Sequence, residues 1–158
     1  MAPNPLQGKR IVLGVTGSIA AYKAADLASK LAQEGALVEA VLTEAATEFI
    51  SPLTFQSVTG QPAHTDADLW GAQAHVLHIG LARHADLLLI APASAQTLAR
   101  LALGLADNLL SLTALAATCP LVVAPAMDAG MFSHPATQAN LETLAGRGTF
   151  WCPACQPA

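Results

Sequence analysis

The sequence predicts an α/β fold in which a doubly wound parallel sheet lies between two layers of helices. Three short apolar runs lead directly into small or polar residues: Ile11–Val15, Leu87–Ile90 and Leu121–Ala124. Continuous apolar runs of this length are typical of parallel strands buried on both faces. Segments with helical spacing of apolar residues separate them, and strands that alternate with helices indicate right-handed βαβ units.

The first strand and helix show the pattern most clearly. Arg10–Thr16 is a continuous run rich in β-branched residues, Gly17 and Ser18 interrupt it, and Ile19–Gln33 has apolar residues at helical spacing. Gly35 is expected to end this helix. The other predicted strands are Leu37–Leu42, a short one near Ala63, Asp86–Ala91, Leu121–Ala124 and Thr149–Trp151. The other predicted helices begin at Thr43, Ser51, Ala95, Asn108 and His134, and His75–His84 is predicted to be irregular.

Composition indicates one domain, residues 1–158, that is covered partly by other subunits. Residues 1–8 are expected to be a disordered lead-in. Apolar residues make up 53% of the chain and charged ones 11%, whereas about a quarter is typical of soluble domains. So few charges cannot cover the surface of a short monomer, which predicts a homo-oligomer.

The charge pattern, a long apolar stretch and the N-terminus bear on the protein's partners and location. The net charge of −4, with scattered Lys and Arg, argues against nucleic acid. Arg100, Asp107 and Asn108 interrupt the apolar stretch Leu98–Thr118, so we expect two buried helices and no membrane span. The N-terminus lacks a signal segment, and three cysteines form no disulfide framework, so the cytoplasm is the expected location.

Hydroxyl side chains follow three predicted strands at one edge of the sheet. Gly17 and Ser18 precede a helix, and Thr43 and Ser94 end later strands. This arrangement suits one phosphate and a polyol chain, because a helix N-terminus favours an anion. The loop is neither a GxGxxG fingerprint nor a P-loop, and no acid ends the second strand, so a mononucleotide fits better than NAD. The alternative is an ordinary glycine turn in which Ser18 caps the helix.

Histidine, cysteine and methionine residues leave other interpretations open. His78 lies in an apolar setting and is either a core or interface residue or a functional one. The pairs His75-x-x-His78 and Cys152-x-x-Cys155 are far apart in sequence, so neither a zinc site nor a redox pair is expected. Met127 and Met131 either fill the core or face a flat ring.

Several motifs in register resemble one family over about residues 8–150. They are Gly17-Ser18-Ile19-Ala20-Ala21-Tyr22-Lys23, His78-Ile79, Ala91-Pro92-Ala93-Ser94-Ala95, Gly104-Leu105-Ala106-Asp107-Asn108-Leu109, Pro125-Ala126-Met127-Asp128-x-x-Met131 and His134-Pro135-Ala136-Thr137. In this order they resemble the homo-oligomeric flavin-containing cysteine decarboxylases. The resemblance implies a Rossmann-like flavoprotein fold and trimers or dodecamers with FMN at the subunit interface.

The resemblance also implies roles for particular residues. The expected cofactor-binding residues are Gly17, Ser18, Ile19, Thr43, Ser94, Ala95, Thr97, Ala126 and Met127. His78 corresponds to the family's catalytic histidine, here a general base, and Asp128 to the contact for the substrate carboxylate. Cys155 corresponds to a cysteine of the substrate-covering flap, expected to be truncated or atypical over residues 152–158. Two residues depart from the family pattern, since Asp128 and Gln96 stand where Asn is common.

The implied activity is FMN-dependent decarboxylation of phosphopantothenoylcysteine to phosphopantetheine in coenzyme A biosynthesis, with a ligase domain fused or separate. Oxidation of the substrate thiol to a thioaldehyde gives the departing carboxylate's electron pair a sink. Two alternatives remain. One is oxidative decarboxylation of a peptide's C-terminal cysteine, as in lantibiotic maturation, and the other is a non-catalytic flavoprotein regulatory subunit. Flavin prenyltransferases are disfavoured, because they carry a Gly-Ala-Ser-Gly loop where Gly17-Ser18-Ile19-Ala20 stands.

Overall fold

A single parallel sheet of six strands organises the chain. The computed structural model describes residues 3–71 and 74–152. The strands are β1 (Arg10–Val15), β2 (Leu37–Leu42), β3 (Ala63–His64), β4 (Leu87–Ala93), β5 (Leu121–Pro125) and β6 (Phe150–Trp151). Their order is β3-β2-β1-β4-β5-β6, and all neighbours are parallel. The strand order reverses between β1 and β4, where open α/β sheets hold their ligands beyond the carboxyl ends of the strands.

Eight α-helices connect the described strands. They are α1 (Ala21–Gln33), α2 (Glu44–Thr47), α3 (Pro52–Thr59), α4 (Ala74–His84), α5 (Ala95–Leu103), α6 (Leu109–Ala116), α7 (Ala129–Ser133) and α8 (Pro135–Gly146). Gly35, at φ 87°, follows the end of α1 as predicted. The apolar stretch from Leu98 forms parts of two helices, and among the described residues no helix could cross a bilayer.

Helices cover the two faces of the sheet unequally. On one face, α1 and α3 pack over β1 and β2, with Phe55 fully buried. On the other, α4, α5, α6 and α8 pack over β1, β4 and β5 around residues such as Leu98 and Leu110. The first face therefore leaves β4 and β5 partly uncovered, and Leu89 and Ala124 there are only half-buried. The fold is the predicted three-layer α/β architecture.

Three segments differ from the sequence-based prediction. The region His75–His84, predicted to be irregular, is part of α4, because Leu77 and Leu81 lie one turn apart and both pack into the second core. Asp66–Trp70, for which neither a strand nor a helix is predicted, forms a 3₁₀ helix. The short helix α7 follows Asp128, whose carboxylate accepts a hydrogen bond from Gly130 N at 2.8 Å and caps it.

The segment expected to be a disordered lead-in is placed against the domain over residues 3–8. Leu6 packs on the core beneath α1, and Asn4 Nδ2 donates to Glu34 O at 2.9 Å. These contacts connect the start of the chain to the end of α1.

Candidate functional site

Polar helix caps cluster at the carboxyl edge of the sheet. Thr43 accepts a hydrogen bond from Ala46 N at 3.3 Å, Ser94 from Thr97 N at 3.2 Å, and Asn108 from Ser111 N at 2.8 Å. Each strand or loop ends in an extended residue whose side chain caps the next helix. The sequence therefore delivers several uncharged polar groups to one place.

These caps surround a cleft of about 450 Å³, which we call the polar cleft. Five of the predicted cofactor-binding residues line it: Gly17, Thr43, Ser94, Ala95 and Thr97. The other lining residues are Glu44, Ala45, Asp66, Gln96, Arg100, Asp107, Asn108 and Met131. The volume of the cleft lies within the range of small-molecule sites. The structure therefore brings most of the predicted phosphate and polyol contacts together around one cavity of suitable size.

Three of the four charged side chains that line the polar cleft are engaged with each other or with the main chain. Arg100 Nε donates to Asp107 Oδ1 at 2.8 Å, and its Nη2 to Asp107 Oδ2 at 3.3 Å. The Arg100 guanidinium holds the pKa of the Asp107 carboxyl below its usual value. Asp66 Oδ1 accepts from Leu109 N at 2.9 Å, at the start of α6. Arg100 is the one cation among the described lining residues, so an anion bound here depends chiefly on hydroxyls and helix N-termini.

Gly17 allows α2 to close against the turn after β1. A Cβ added at Gly17 would lie 2.5 Å from the Ala45 Cβ, closer than two such carbons can approach. Any larger residue would push α2 outward and displace Thr43, which caps it. Because Gly17 has no side chain, a phosphorylated polyol could approach the main chain closely at the floor of the cleft.

Several other predicted residues lie around the polar cleft without lining it. Ser18 precedes α1 and accepts from Ala20 N at 3.2 Å, and the neighbouring Ile19 is 77% exposed. Ala126 lines a separate apolar hollow of about 330 Å³. Small residues dominate this alanine hollow: Ala20, Ala24, Ala91, Pro92, Ala124 and Ala126, with Leu27 and Lys23. Its apolar lining suits a flat aromatic ring, whereas Met127 packs into the second core.

The predicted catalytic residues occupy different places. Asp128 lines a shallow hollow that shares Ala95 and Met131 with the polar cleft. His78 lies on α4, outside the lining of the cleft, and its Nδ1 is buried without a hydrogen-bond partner in the described part of the chain. Cys155 lies outside the described residues. Within the described ranges, no cluster of His, Cys, Asp or Glu could hold a metal ion.

Sequence reasoning missed the roles of Asp66, Arg100 and Asp107 in the cleft. Asp66 reaches the start of α6 from a turn 43 residues earlier, and no local pattern shows such a contact. The signal for Asp107 was present in Gly104-Leu105-Ala106-Asp107-Asn108, which contributed to the family resemblance without an assigned role, whereas Arg100 lies outside every motif of that resemblance.

The comparisons identify the family. A family model described as "Flavoprotein" matches residues 2–157. The chain belongs to the flavoprotein family. This flavoprotein is similar to the coenzyme A biosynthesis bifunctional protein CoaBC of Vibrio cholerae, at 48% identity over 94% of this chain and 38% of the relative. The CoaBC protein of Escherichia coli is 47% identical over 94% of this chain and 37% of its own length. The chain thus spans little more than a third of these curated relatives.

Solved structures agree with this assignment. The FMN-dependent cysteine decarboxylase SpaF superposes with a TM-score of 0.85 at 37% identity, covering 92% of this chain and 84% of SpaF. A PPC decarboxylase mutant, C175S, complexed with pantothenoylaminoethenethiol superposes with a TM-score of 0.81 at 38% identity, covering 93% and 82%. The resemblance inferred from the motifs is confirmed, and with it the Rossmann-like fold of this flavoprotein.

Proposed function

We propose that this chain is an FMN-dependent decarboxylase that converts phosphopantothenoylcysteine to phosphopantetheine in coenzyme A biosynthesis. One observation carries the proposal: five of the predicted cofactor-binding residues meet in the polar cleft at the point where the strand order reverses. Support comes from the similarity to CoaBC proteins over 94% of the chain and to the PPC decarboxylase structure. When bound, FMN supplies a reversible acceptor for a hydride.

The residues present fit the two unlike parts of FMN. The polar cleft offers hydroxyls from Thr43, Ser94 and Thr97 for the phosphate and ribityl chain. The N-terminus of α5 adds the favourable end of a helix dipole. The alanine hollow next to α1 offers an apolar wall on which Ala126 can meet the ring. Gly17, Ser18, Ile19, Ala95 and Met127 complete the proposed cofactor-binding set.

His78 is proposed as the general base for the substrate thiol. Its Nδ1 is buried and lacks a partner in the described protomer, whereas buried polar groups are normally hydrogen-bonded. Because His78 does not line its own polar cleft, we infer that it serves a substrate bound between two copies. Replacing His78 with Asn is expected to lower turnover by about 10²-fold or more while FMN stays bound. Unchanged turnover would remove His78 from the mechanism.

Asp128 is proposed to face the substrate carboxylate, where a negative charge would repel it. Its carboxylate is held by Gly130 N at 2.8 Å, so it also fixes the loop before α7. Asn caps helices as well as Asp does, so Asp128→Asn keeps the loop and removes the charge. We expect a lower KM for the carboxylate substrate. A higher KM would show that Asp128 has a different role.

Cys155 is proposed to return a proton to the product. A solved relative in which a cysteine is changed to serine holds pantothenoylaminoethenethiol. We therefore expect Cys155→Ser to release the enethiol instead of the saturated thiol, as measured by mass spectrometry. Normal product from this variant would exclude Cys155 from that step.

A homo-oligomer, a trimer or a dodecamer, is proposed because this chain has apolar surface in excess. Charged residues make up 11% of the sequence, and Ile19, Tyr22, Leu53, Trp70 and Phe150 are all more than half exposed. Sedimentation analysis is expected to give a mass of at least three times the 16.2 kDa of one chain.

We further propose that residues 1–158 form a single domain and that the protein is located in the cytoplasm. We also propose a ligase domain, fused or separate, as partner, since the curated relatives are described as bifunctional.

One incubation tests the reaction. Purified protein loaded with FMN is mixed with phosphopantothenoylcysteine, and products are analysed by mass. The expected product has lost only CO₂. If a peptide that ends in cysteine is used instead, loss of CO₂ together with two hydrogens would support the second candidate, oxidative decarboxylation of a peptide's C-terminal cysteine. Bound FMN with no turnover of either substrate would indicate a non-catalytic flavoprotein.

A further inference from the structure

The last residues of β4 are not held by a regular sheet ladder. Pairing between β1 and β4 runs to Gly14 and Ile90, and the register between β4 and β5 shifts between Ile90 and Ala93. Pro92 has no N–H group and cannot donate to a neighbouring strand. The turn that leads from β4 to Ser94 therefore needs a different anchor.

The side chain of Thr16, directly after β1, is that anchor. Its hydroxyl donates to Pro92 O at 2.6 Å and accepts from Ser94 N at 2.9 Å. Thr16 N donates to the same Pro92 carbonyl at 3.3 Å. Thr16 is 1% exposed, so these bonds do not compete with bulk water. One hydroxyl thus satisfies main-chain groups on both sides of Ala93.

Ser94 transmits this placement to the polar cleft. Its hydroxyl accepts from Thr97 N at 3.2 Å and donates to Thr97 Oγ1 at 3.2 Å. Its carbonyl accepts from Leu98 N at 3.0 Å, in the first turn of α5. A displacement of Ser94 would therefore move two cleft hydroxyls and the start of α5 together, although Thr16 does not line the cleft itself.

We propose that Thr16 is a positioning residue for the cofactor, acting through Ser94. The proposal rests on the proposed function, in which Ser94 and Thr97 contact the phosphate and ribityl chain of FMN. Thr16 makes no contact with the ligand and fixes the groups that do. Replacing this buried hydroxyl with an apolar group of the same shape would leave Ser94 N without its partner and Pro92 O with only the longer bond from Thr16 N.

The test compares hydroxyl-bearing and hydroxyl-free side chains at this position. Thr16→Val keeps the shape, and we expect the dissociation constant for FMN to rise by at least about tenfold. The Ser94 amide should also exchange hydrogen faster in the FMN-free protein. Thr16→Ser keeps the hydroxyl and should restore both readouts to within about threefold of the wild type. If Thr16→Val does not fold, Thr16→Cys is the milder variant, because its thiol is a weak donor and a weak acceptor. We expect Thr16→Cys to raise the dissociation constant for FMN as well.

Thr113 provides a matched control. It is equally buried, and its hydroxyl donates to Leu109 O at 2.7 Å within α6, away from the cleft lining. Thr113→Val should lower the melting temperature and leave FMN affinity unchanged. FMN binding by Thr16→Val as tight as wild type, or an equal loss of affinity in Thr113→Val, would overturn the proposal. A wild-type protein that binds no FMN would refute the proposed function, while Ser94 amide exchange would still test the anchor.

Discussion

The polar cleft and the strands outside it use polar groups differently. At the carboxyl edge, Thr43, Ser94 and Thr97 line an open cleft with hydroxyls that are uncharged. Outside the cleft, polar groups on or beside the strands pair with each other: Asp86 Oδ2 accepts from Arg10 N, at the start of β1, at 2.8 Å, and His64 Nε2 on β3 lies 3.4 Å from Glu39 Oε2 on β2. The cleft hydroxyls can bond to a ligand, whereas the paired groups outside the cleft stabilise the fold.

The strongest test of this contrast is Gly17→Ala at the carboxyl edge. The added Cβ would lie 2.5 Å from the Ala45 Cβ, so α2 must move and the polar cleft must change shape. We expect FMN affinity to fall by about a hundredfold and stability by about 1–3 kcal/mol. Fluorescence titration and thermal melting measure the two effects. Gly146→Ala at the end of α8, where an added Cβ meets nothing within 4 Å, should change neither.

A second prediction separates helix capping from ligand binding. Ser94→Ala removes the cap of α5 and a cleft hydroxyl, so it should cost about 1 kcal/mol of stability and about tenfold or more in FMN affinity. Ser51 caps α3 in the same way, accepting from Leu53 N at 3.2 Å, and does not line the cleft. Ser51→Ala should match the loss of stability with FMN affinity unchanged. Equal affinity losses in both variants would mean that Ser94 acts only as a cap.

A third prediction changes the charge of the cleft. Asp107→Asn removes a carboxylate that the Arg100 guanidinium keeps ionised, and frees that guanidinium for an anion. We expect FMN to bind about threefold more tightly at low salt, with the gain shrinking as salt is added. Titrations at two salt concentrations measure it. Weaker binding at low salt would show that the Asp107–Arg100 pair is needed to shape the cleft.

The smallest effect is expected at the His64–Glu39 pair, outside the cleft. The hydrogen bond from His64 holds the pKa of Glu39 below its ordinary value of 4.5. A pKa that is lowered in the folded state stabilises the protein above the ordinary value, and the contribution is lost as the pH falls through the folded-state pKa. Glu39→Gln should therefore cost about 1 kcal/mol or less at pH 7, with the difference from wild type closing as the pH falls below 4.5 and through the folded-state pKa. FMN affinity at pH 7 should stay the same.

The sequence allowed the fold and part of the site to be predicted because both depend on local patterns. Val- and Leu-rich runs that stop at Gly, Ala or Pro mark buried strands, and Ser94 and Thr43 carry the recognisable pattern of helix caps. Helix α4 was missed because Gly80 and its histidines obscure the apolar spacing of Leu77 and Leu81.

Most of what could not be predicted from the sequence depends on long-range contacts. The Thr16 hydroxyl bonds to groups 76 and 78 residues away, and Asp66 to one 43 residues away. The residues next to Thr16 or Asp66 in the sequence do not indicate these partners, because the partners depend on which segments become adjacent in the fold. His78 is a related case, because its buried Nδ1 has no hydrogen-bond partner in the described part of the chain and nothing in the neighbouring sequence indicates what it faces.

The unequal covering of the sheet has a consequence for how this protein should be handled. If a sister subunit of the proposed homo-oligomer covers β4 and β5, dissociation exposes Leu89 and Ala124 to water. Folding and association are then one equilibrium, and the melting temperature rises with protein concentration. Dilution would act as a mild denaturant, so samples compared for stability must be matched in concentration as well as in buffer.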